Sequence, residues 1–208
     1  MPPDRIARRL VIFVCAAMLA TWAPPARAAT DPAVIAPIQG LCNALLAVMK
    51  AGTQTPFEQR FSMLAPAVDR ALNIGVILQV SVGSMWNTLS PDQHAALLDA
   101  FRRYTINSYL NNFDSYSGQR FVVDLDTRAA AADQIVQTKI IPASGESHQL
   151  DYVMRQAGSP DWQAVDVLTD SISRVATQRS DFRALVMRGG GEALLASLQK
   201  KAADLASK

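Results

Sequence analysis

The sequence predicts an α+β fold in which an antiparallel meander of four or five strands packs against flanking helices. Three observations predict the architecture. Residues 33–113 carry apolar side chains at helical spacing, residues 120–168 alternate in the manner of strands, and helical spacing returns after Asp170. Helices, then a run of strands, then helices segregate the two kinds of structure, and one face of the sheet must be covered by the helices.

The chain opens with a basic stretch (Arg5, Arg8, Arg9), an apolar run over residues 10–20 and Ala26-Arg27-Ala28. This is the three-part pattern of a secretory signal with an A-x-A cleavage site. The run of about eleven residues is too short for the ~20 of a membrane-spanning helix, and no later segment is expected to come closer. The expected organisation is a cleaved leader, 1–28, and a single exported domain, 29–208. The residues flanking Arg8-Arg9 fit a twin-arginine signal poorly. Val14 before Cys15 argues against a lipid-attachment site.

Cleavage after Ala28 removes four of the 20 Lys and Arg (Arg5, Arg8, Arg9, Arg27) and one of the 18 Asp and Glu (Asp4), leaving 16 and 17. The net charge becomes −1, and no electrostatic footprint for nucleic acid remains. Cys15 leaves with the leader, so Cys42 has no intramolecular partner and a hydrophobic core must stabilise the domain. Roughly 180 residues suffice for one core. Cys42 lies in an apolar helical stripe, LCNALLAVM, and reads as a buried thiol.

In the first helix Ile38, Leu41, Leu45, Val48 and Met49 fall at helical spacing, and Ala51-Gly52 supplies the stop. A second short helix opens at Thr55-Pro56 with Phe57, Phe61 and Leu64 on one face, and Pro66 is expected to interrupt it. In NIGVILQVSVGSMWNTL, Val76, Ile77, Leu78, Val80 and Val82 suit a buried strand or a buried short helix, and periodicity does not choose between them. Ser90-Pro91-Asp92-Gln93 is a capping box with proline at the first helical position. The helix it starts runs to about Phe113, with Leu97, Leu98, Phe101, Tyr104 and Tyr109 on its apolar stripe.

Strands then follow. Phe121, Val123 and Leu125 share one face; residues 135–141 form a second strand; Leu150, Tyr152 and Met154 share a face of a third; and residues 162–168 form a fourth. The separators 129–133, 142–146 and 158–161 are of hairpin length. The final helical pattern stops at Gly189-Gly190-Gly191 and resumes to the end of the chain.

Candidate chemistry is sparse. His94 and His148 stand apart without a ligand or catalytic constellation, and two histidines fall short of a zinc site. The triple glycine lacks the Gly-Lys-Ser/Thr of a phosphate loop. Asp166, in an otherwise apolar strand near Tyr152, has two readings: a general base in a sheet-lined cavity, or a strand-edge carboxylate satisfied by a hydroxyl or an arginine. The second is favoured. Arg174, Arg179, Arg183 and Arg188 lie along the last helical region, either as a solvated face or as a stripe meeting an acidic partner or lipid phosphates.

Several stretches resemble one family. Phe57-Glu58-Gln59-Arg60, Gly83-Ser84-Met85-Trp86, Leu89-Ser90-Pro91-Asp92-Gln93, Phe101-Arg102-Arg103-Tyr104 and Tyr116-Ser117-Gly118 resemble the helical half of the MlaC, or toluene-tolerance, periplasmic phospholipid-binding proteins. Residues 162–166, Ser171-Ile172-Ser173-Arg174-Val175 and Gln178-Arg179-Ser180-Asp181-Phe182-Arg183 resemble their last strand and following helix, in wording similar to the hopanoid-associated HpnM branch. Ser171 departs from the pattern, since members often carry glycine after the acidic residue.

The resemblance implies a deep apolar cavity and a non-enzymatic periplasmic shuttle. No cofactor or metal is implied. The cargo would be phospholipid or a hopanoid-type lipid, carried between an outer-membrane lipoprotein complex and an inner-membrane ABC transporter with its substrate-binding ring. Expected lining residues are Ile77, Val80, Trp86, Phe101, Tyr104, Tyr109, Tyr152, Val165, Val167 and Ile172, and Arg174, Arg179 and Arg183 are expected to meet the partner. The alternatives are a non-catalytic assembly subunit of a lipid-trafficking complex with a solid core, or an Asp166-dependent lipid-modifying enzyme.

Overall fold

A computed structural model describes residues 31–207; the expected leader lies outside them. The helical half comprises α1 (Pro32–Ala51), α2 (Phe57–Ala71), α3 (Ile74–Val82), a short 3-10 segment (Gly83–Thr88) and α4 (Pro91–Asn112). The sheet follows as β1 (Arg120–Val123), β2 (Arg128–Ala130), β3 (Asp133–Ile141), β4 (His148–Arg155), β5 (Gln163–Thr169) and β6 (Ile172–Ser173), and α5 (Arg174–Ala206) closes the fold.

The first helix begins where Pro32 follows Asp31, whose side chain accepts a hydrogen bond from Ala33 N at 2.9 Å. Its stripe Ile38, Leu41, Leu45 and Val48 is completely buried, between α2 and the sheet strands β1 and β3. Contrary to the expectation that no segment beyond the leader approaches a spanning helix, α1 is long and apolar enough by length and composition to cross a membrane. In this fold the same apolar character serves the core. Cys42 is buried on α1 among these residues.

The second helix continues through Pro66 to Ala71 instead of breaking there. A proline inside a helix deprives the carbonyl four residues earlier of its N–H partner, here Ser62. Both Ser62 and Pro66 are exposed, so water can satisfy that carbonyl, while Leu64, Val68 and Ala71 on the opposite side keep the helix docked. The ambiguous segment after it is helical. Asn73 caps α3 by accepting from Val76 N at 3.0 Å, and its amide binds Gln163 Oε1 at 3.1 Å, tying the start of α3 to β5.

The predicted capping box of α4 forms: Ser90 Oγ accepts from Gln93 N at 3.2 Å, and Gln93 Oε1 accepts from Ser90 N at 2.9 Å. Leu98 does not join the buried stripe; Ala100, Ile106 and Leu110 complete it with Leu97 and Phe101.

The sheet is antiparallel in the order β1-β3-β4-β5-β6, with β2 also on β3. Residues 129–133 are therefore not a plain connection, since Ala129 and Ala130 belong to β2. The strands β1 and β2 pair with opposite ends of β3 and form one edge broken at residues 124–127. Leu125, expected on the strand face, falls in that break and is exposed. Across the sheet, Val136, Tyr152 and Val167 stand in one row, and Thr138, Leu150 and Thr169 in the next. These rows face the helices.

The long last helix packs along α4 and α3. Gly189 and Gly190 break its helical geometry, Gly190 with φ of 66°, a conformation that glycine adopts without penalty. Gly191 meets Leu89: a Cβ there would lie 2.8 Å from Leu89 Cδ2.

The turn between β5 and β6 holds Asp170 and Ser171 at φ of 48° and 70°. Two successive left-handed residues between paired Thr169 and Ile172 suit a two-residue hairpin, and explain why glycine is the natural residue after the acid. A non-glycine residue in this region is strained by about 1 kcal/mol. Ser171→Gly is expected to stabilise the protein by about that amount, read as a higher denaturation midpoint with an unchanged m-value.

Candidate functional site

A cavity of about 530 Å³ lies between the helix-facing side of the sheet and α3, α4 and the start of α5. Its apolar wall comes from Met49 of α1, Leu72 at the end of α2, Ile74 and Ile77 of α3, Phe101, Tyr104 and Tyr109 of α4, Phe113 just beyond it, Ile140, Leu150 and Val167 of the sheet, and Val175 of α5. Pairing across β3, β4 and β5 sets Leu150 and Val167 on the floor, with Thr138 Oγ1 donating to Leu150 O at 2.8 Å to satisfy a hydroxyl buried in the floor.

Polar groups complete the lining. Ser108 and Asn112 extend the cavity face of α4 toward its C-terminus, Asp114, Ser115 and Gln119 follow it, and His148, Thr169, Arg174 and Gln178 come from the sheet and α5. A largely apolar lining with a few polar groups is the usual design of a site that buries the greasy part of a ligand and orients the rest. The volume lies in the ~300–1,000 Å³ range of such sites.

Two tyrosines, Tyr109 on this wall and Tyr152 behind it, are strongly affected by burial. Burial pushes Tyr109 up to about 12, with the neighbouring Tyr152 hydroxyl opposing the rise, and raises Tyr152 well above the ordinary tyrosine value. Burial likewise pushes the Cys42 thiol up to about 12, consistent with an inert core thiol. The phenols stay neutral at any physiological pH.

Of the expected lining residues, Ile77, Phe101, Tyr104, Tyr109 and Val167 lie on the cavity wall. The other five stand elsewhere. Tyr152 is fully buried in the floor row, Val165 is buried in β5, and Val80 and Ile172 are exposed to solvent. Trp86 stacks on His94 with ring centroids 4.0 Å apart, and His94 Nε2 hydrogen-bonds with Trp86 O at 2.9 Å. Arg174 lines the cavity, whereas Arg179 lies against Gly83, and both Arg179 and Arg183 are exposed along α5.

Asp166 touches the cavity, but its carboxylate is committed to the fold. It accepts hydrogen bonds from Val167 N at 2.8 Å, Val175 N at 3.1 Å and Ser173 Oγ at 2.5 Å. Ser173 in turn caps α5 by accepting from Ala176 N at 3.0 Å. The carboxylate thus fastens the N-terminus of α5 to β5 through a hydroxyl, the favoured of the two sequence readings. The hydroxyl and amide residues of the lining escaped sequence reading. The available signal was the polar set Thr105, Ser108 and Asn112, spaced three and four apart on the helix that carries Phe101.

Among the described residues, no group of three or more His, Cys, Asp or Glu side chains is placed to hold a metal ion. The family described as MlaC protein matches residues 39–200. The chain belongs to the MlaC family. A solved structure of the phospholipid-binding protein from Ralstonia solanacearum, in complex with a phospholipid, is similar at 22% sequence identity with a TM-score of 0.71, covering 83% of this chain and 98% of that one. The MlaC architecture here is the helix-covered antiparallel sheet with its cavity.

Two outcomes follow from the site's electrostatics. Removing Asp166 by Asp166→Ala leaves the Val175 N–H and the Ser173 hydroxyl without their acceptor, and is expected to cost about 2 kcal/mol in denaturant unfolding. A tyrosine whose folded pKa exceeds its unfolded value stabilises fully below the unfolded value, near 10, and loses that contribution as pH rises toward about 12. Thermal stability should therefore fall across that window, and Tyr109→Phe should make the fall shallower.

Proposed function

We propose that this protein is a periplasmic lipid carrier that shields the hydrocarbon of one lipid molecule in the cavity. The observation that carries the reading is the cavity itself: about 530 Å³ of largely apolar space with a minority of polar groups in its lining. Family membership and the phospholipid bound by the Ralstonia solanacearum protein support it.

The energetics suit transfer. Each methylene removed from water contributes about 0.8 kcal/mol, so two chains of ~15 methylenes represent roughly 24 kcal/mol. A bilayer provides nearly the same burial, and small differences in docking affinity at each membrane can then drive loading and release. In this reading the leader delivers the chain to the periplasm, and Arg179 and Arg183 offer charge to the acidic surface of a docking partner. The partners are an outer-membrane lipoprotein complex and an inner-membrane ABC transporter with its substrate-binding ring. The cargo is a phospholipid, or a hopanoid-type lipid if the likeness to the HpnM branch extends to ligand choice.

The test is organic extraction and mass spectrometry of lipid copurifying with the protein after expression of the full chain. A stoichiometric lipid is the expected result and names the cargo class. A protein that is empty and takes up no lipid from vesicles would overturn the reading. Val167→Trp, which projects bulk from the floor into the cavity, is expected to reduce bound lipid several-fold while leaving the circular dichroism spectrum unchanged.

A further inference from the structure

A second pocket, of about 460 Å³, shares Tyr104, Ser108, Asn112 and Arg174 with the apolar cavity and adds Lys201, Asp204 and Leu205 near the C-terminal end of α5. The two spaces adjoin along one wall. The first is lined mainly by hydrocarbon, and the second brings together two cations.

Lys201 lies with its ammonium 5.9 Å from the centre of the Tyr104 ring, whose residue also lines the apolar cavity. Arg174 reaches the shared wall from the first turn of α5. Neither cation makes an ion pair with a carboxylate among the described residues. The acid in the pocket, Asp204, is held at 2.7 Å by Lys200 instead. Asn112, on the shared wall, makes no side-chain hydrogen bond among the described residues, so its amide is available as a neutral donor.

From this juxtaposition we infer that the second pocket is a headgroup seat, in which Arg174 and Lys201 bind the phosphodiester of a glycerophospholipid whose chains occupy the apolar cavity. The inference rests on the lipid-carrier reading and narrows its cargo. An anion with several acceptor oxygens matches a guanidinium, an ammonium and an amide that line one pocket. The size of the pocket suits a phosphate with its polar substituent better than a lone carboxylate. A neutral polycyclic lipid would leave both cations without a counter-charge.

The experiment compares uptake from vesicles of two lipids with the same acyl chains, phosphatidylglycerol and diacylglycerol, which lacks the phosphate. The wild-type protein is expected to prefer phosphatidylglycerol. In Arg174→Gln/Lys201→Gln the ratio of phosphatidylglycerol to diacylglycerol bound is expected to fall about tenfold. Restoring charge with Arg174→Lys in place of Arg174→Gln should recover part of the ratio. A wild-type protein that binds both lipids equally, or a ratio unchanged in the double variant, would overturn the headgroup seat while leaving the carrier reading intact. A wild-type protein that takes up neither lipid would overturn both.

Discussion

The burial of α1 is the constraint on which the rest of the structure depends. Ile38, Leu41, Leu45 and Val48 lose all contact with solvent, and they do so against α2 on one side and the edge of the sheet on the other. Cys42 is a free, buried thiol on the same helix, and this hydrophobic contact joins the helical half to the β1 and β3 side of the sheet. Its position is also selective. One helix packed along β1 and β3 covers only part of the sheet, and at the other side β5 meets α5, α3 and α2.

The cavity arises where α4 and α5 stand off from the floor. Near its tip, α4 turns aromatic rings inward, Tyr109 toward Tyr152 and Phe113 toward Phe121, whose ring centroids lie 5.8 Å apart. Such rings are large and stiff, and they hold the wall away from Leu150 and Val167 without filling the gap. Ser108 and Asn112, beside these rings on α4, add polar groups to the same lining. A packed core and an accommodating interior thus sit side by side on one sheet, because different helices cover its two halves.

Much of the fold was legible because it rests on local rules. The capping box at Ser90, the strand alternation after Arg120 and the glycine break at 189–191 each specify their structure within a few residues. The misreadings share a cause in context. Pro66 was expected to end a helix, yet its unpaired carbonyl faces water. Leu98 and Leu125 were assigned to apolar faces, yet the first lies off the buried stripe and the second in a broken edge. The cavity wall was less legible than the fold, since an apolar residue facing empty space has the same sequence character as one facing a neighbour. Val165 and Val167 share a strand, but only Val167 reaches the cavity. Arg174 stood out as one of a row of arginines, although its place at the joint between β6 and α5 sets it apart from Arg179 and Arg183.

The carboxylate of Asp166 has a mechanical meaning beyond its hydrogen bonds. It grips the first turn of α5 at Val175 while its own strand presents the next residue, Val167, to the interior. Floor and helix are thereby clasped at a single point, and any outward pressure on one is borne by the other. The far part of α5 is anchored separately, by Asn107 Nδ2 donating to Ala202 O at 2.8 Å and by Gly191 against Leu89. Between the two anchorages lies the Gly189-Gly190 joint, the cheapest place in the helix to rotate the backbone.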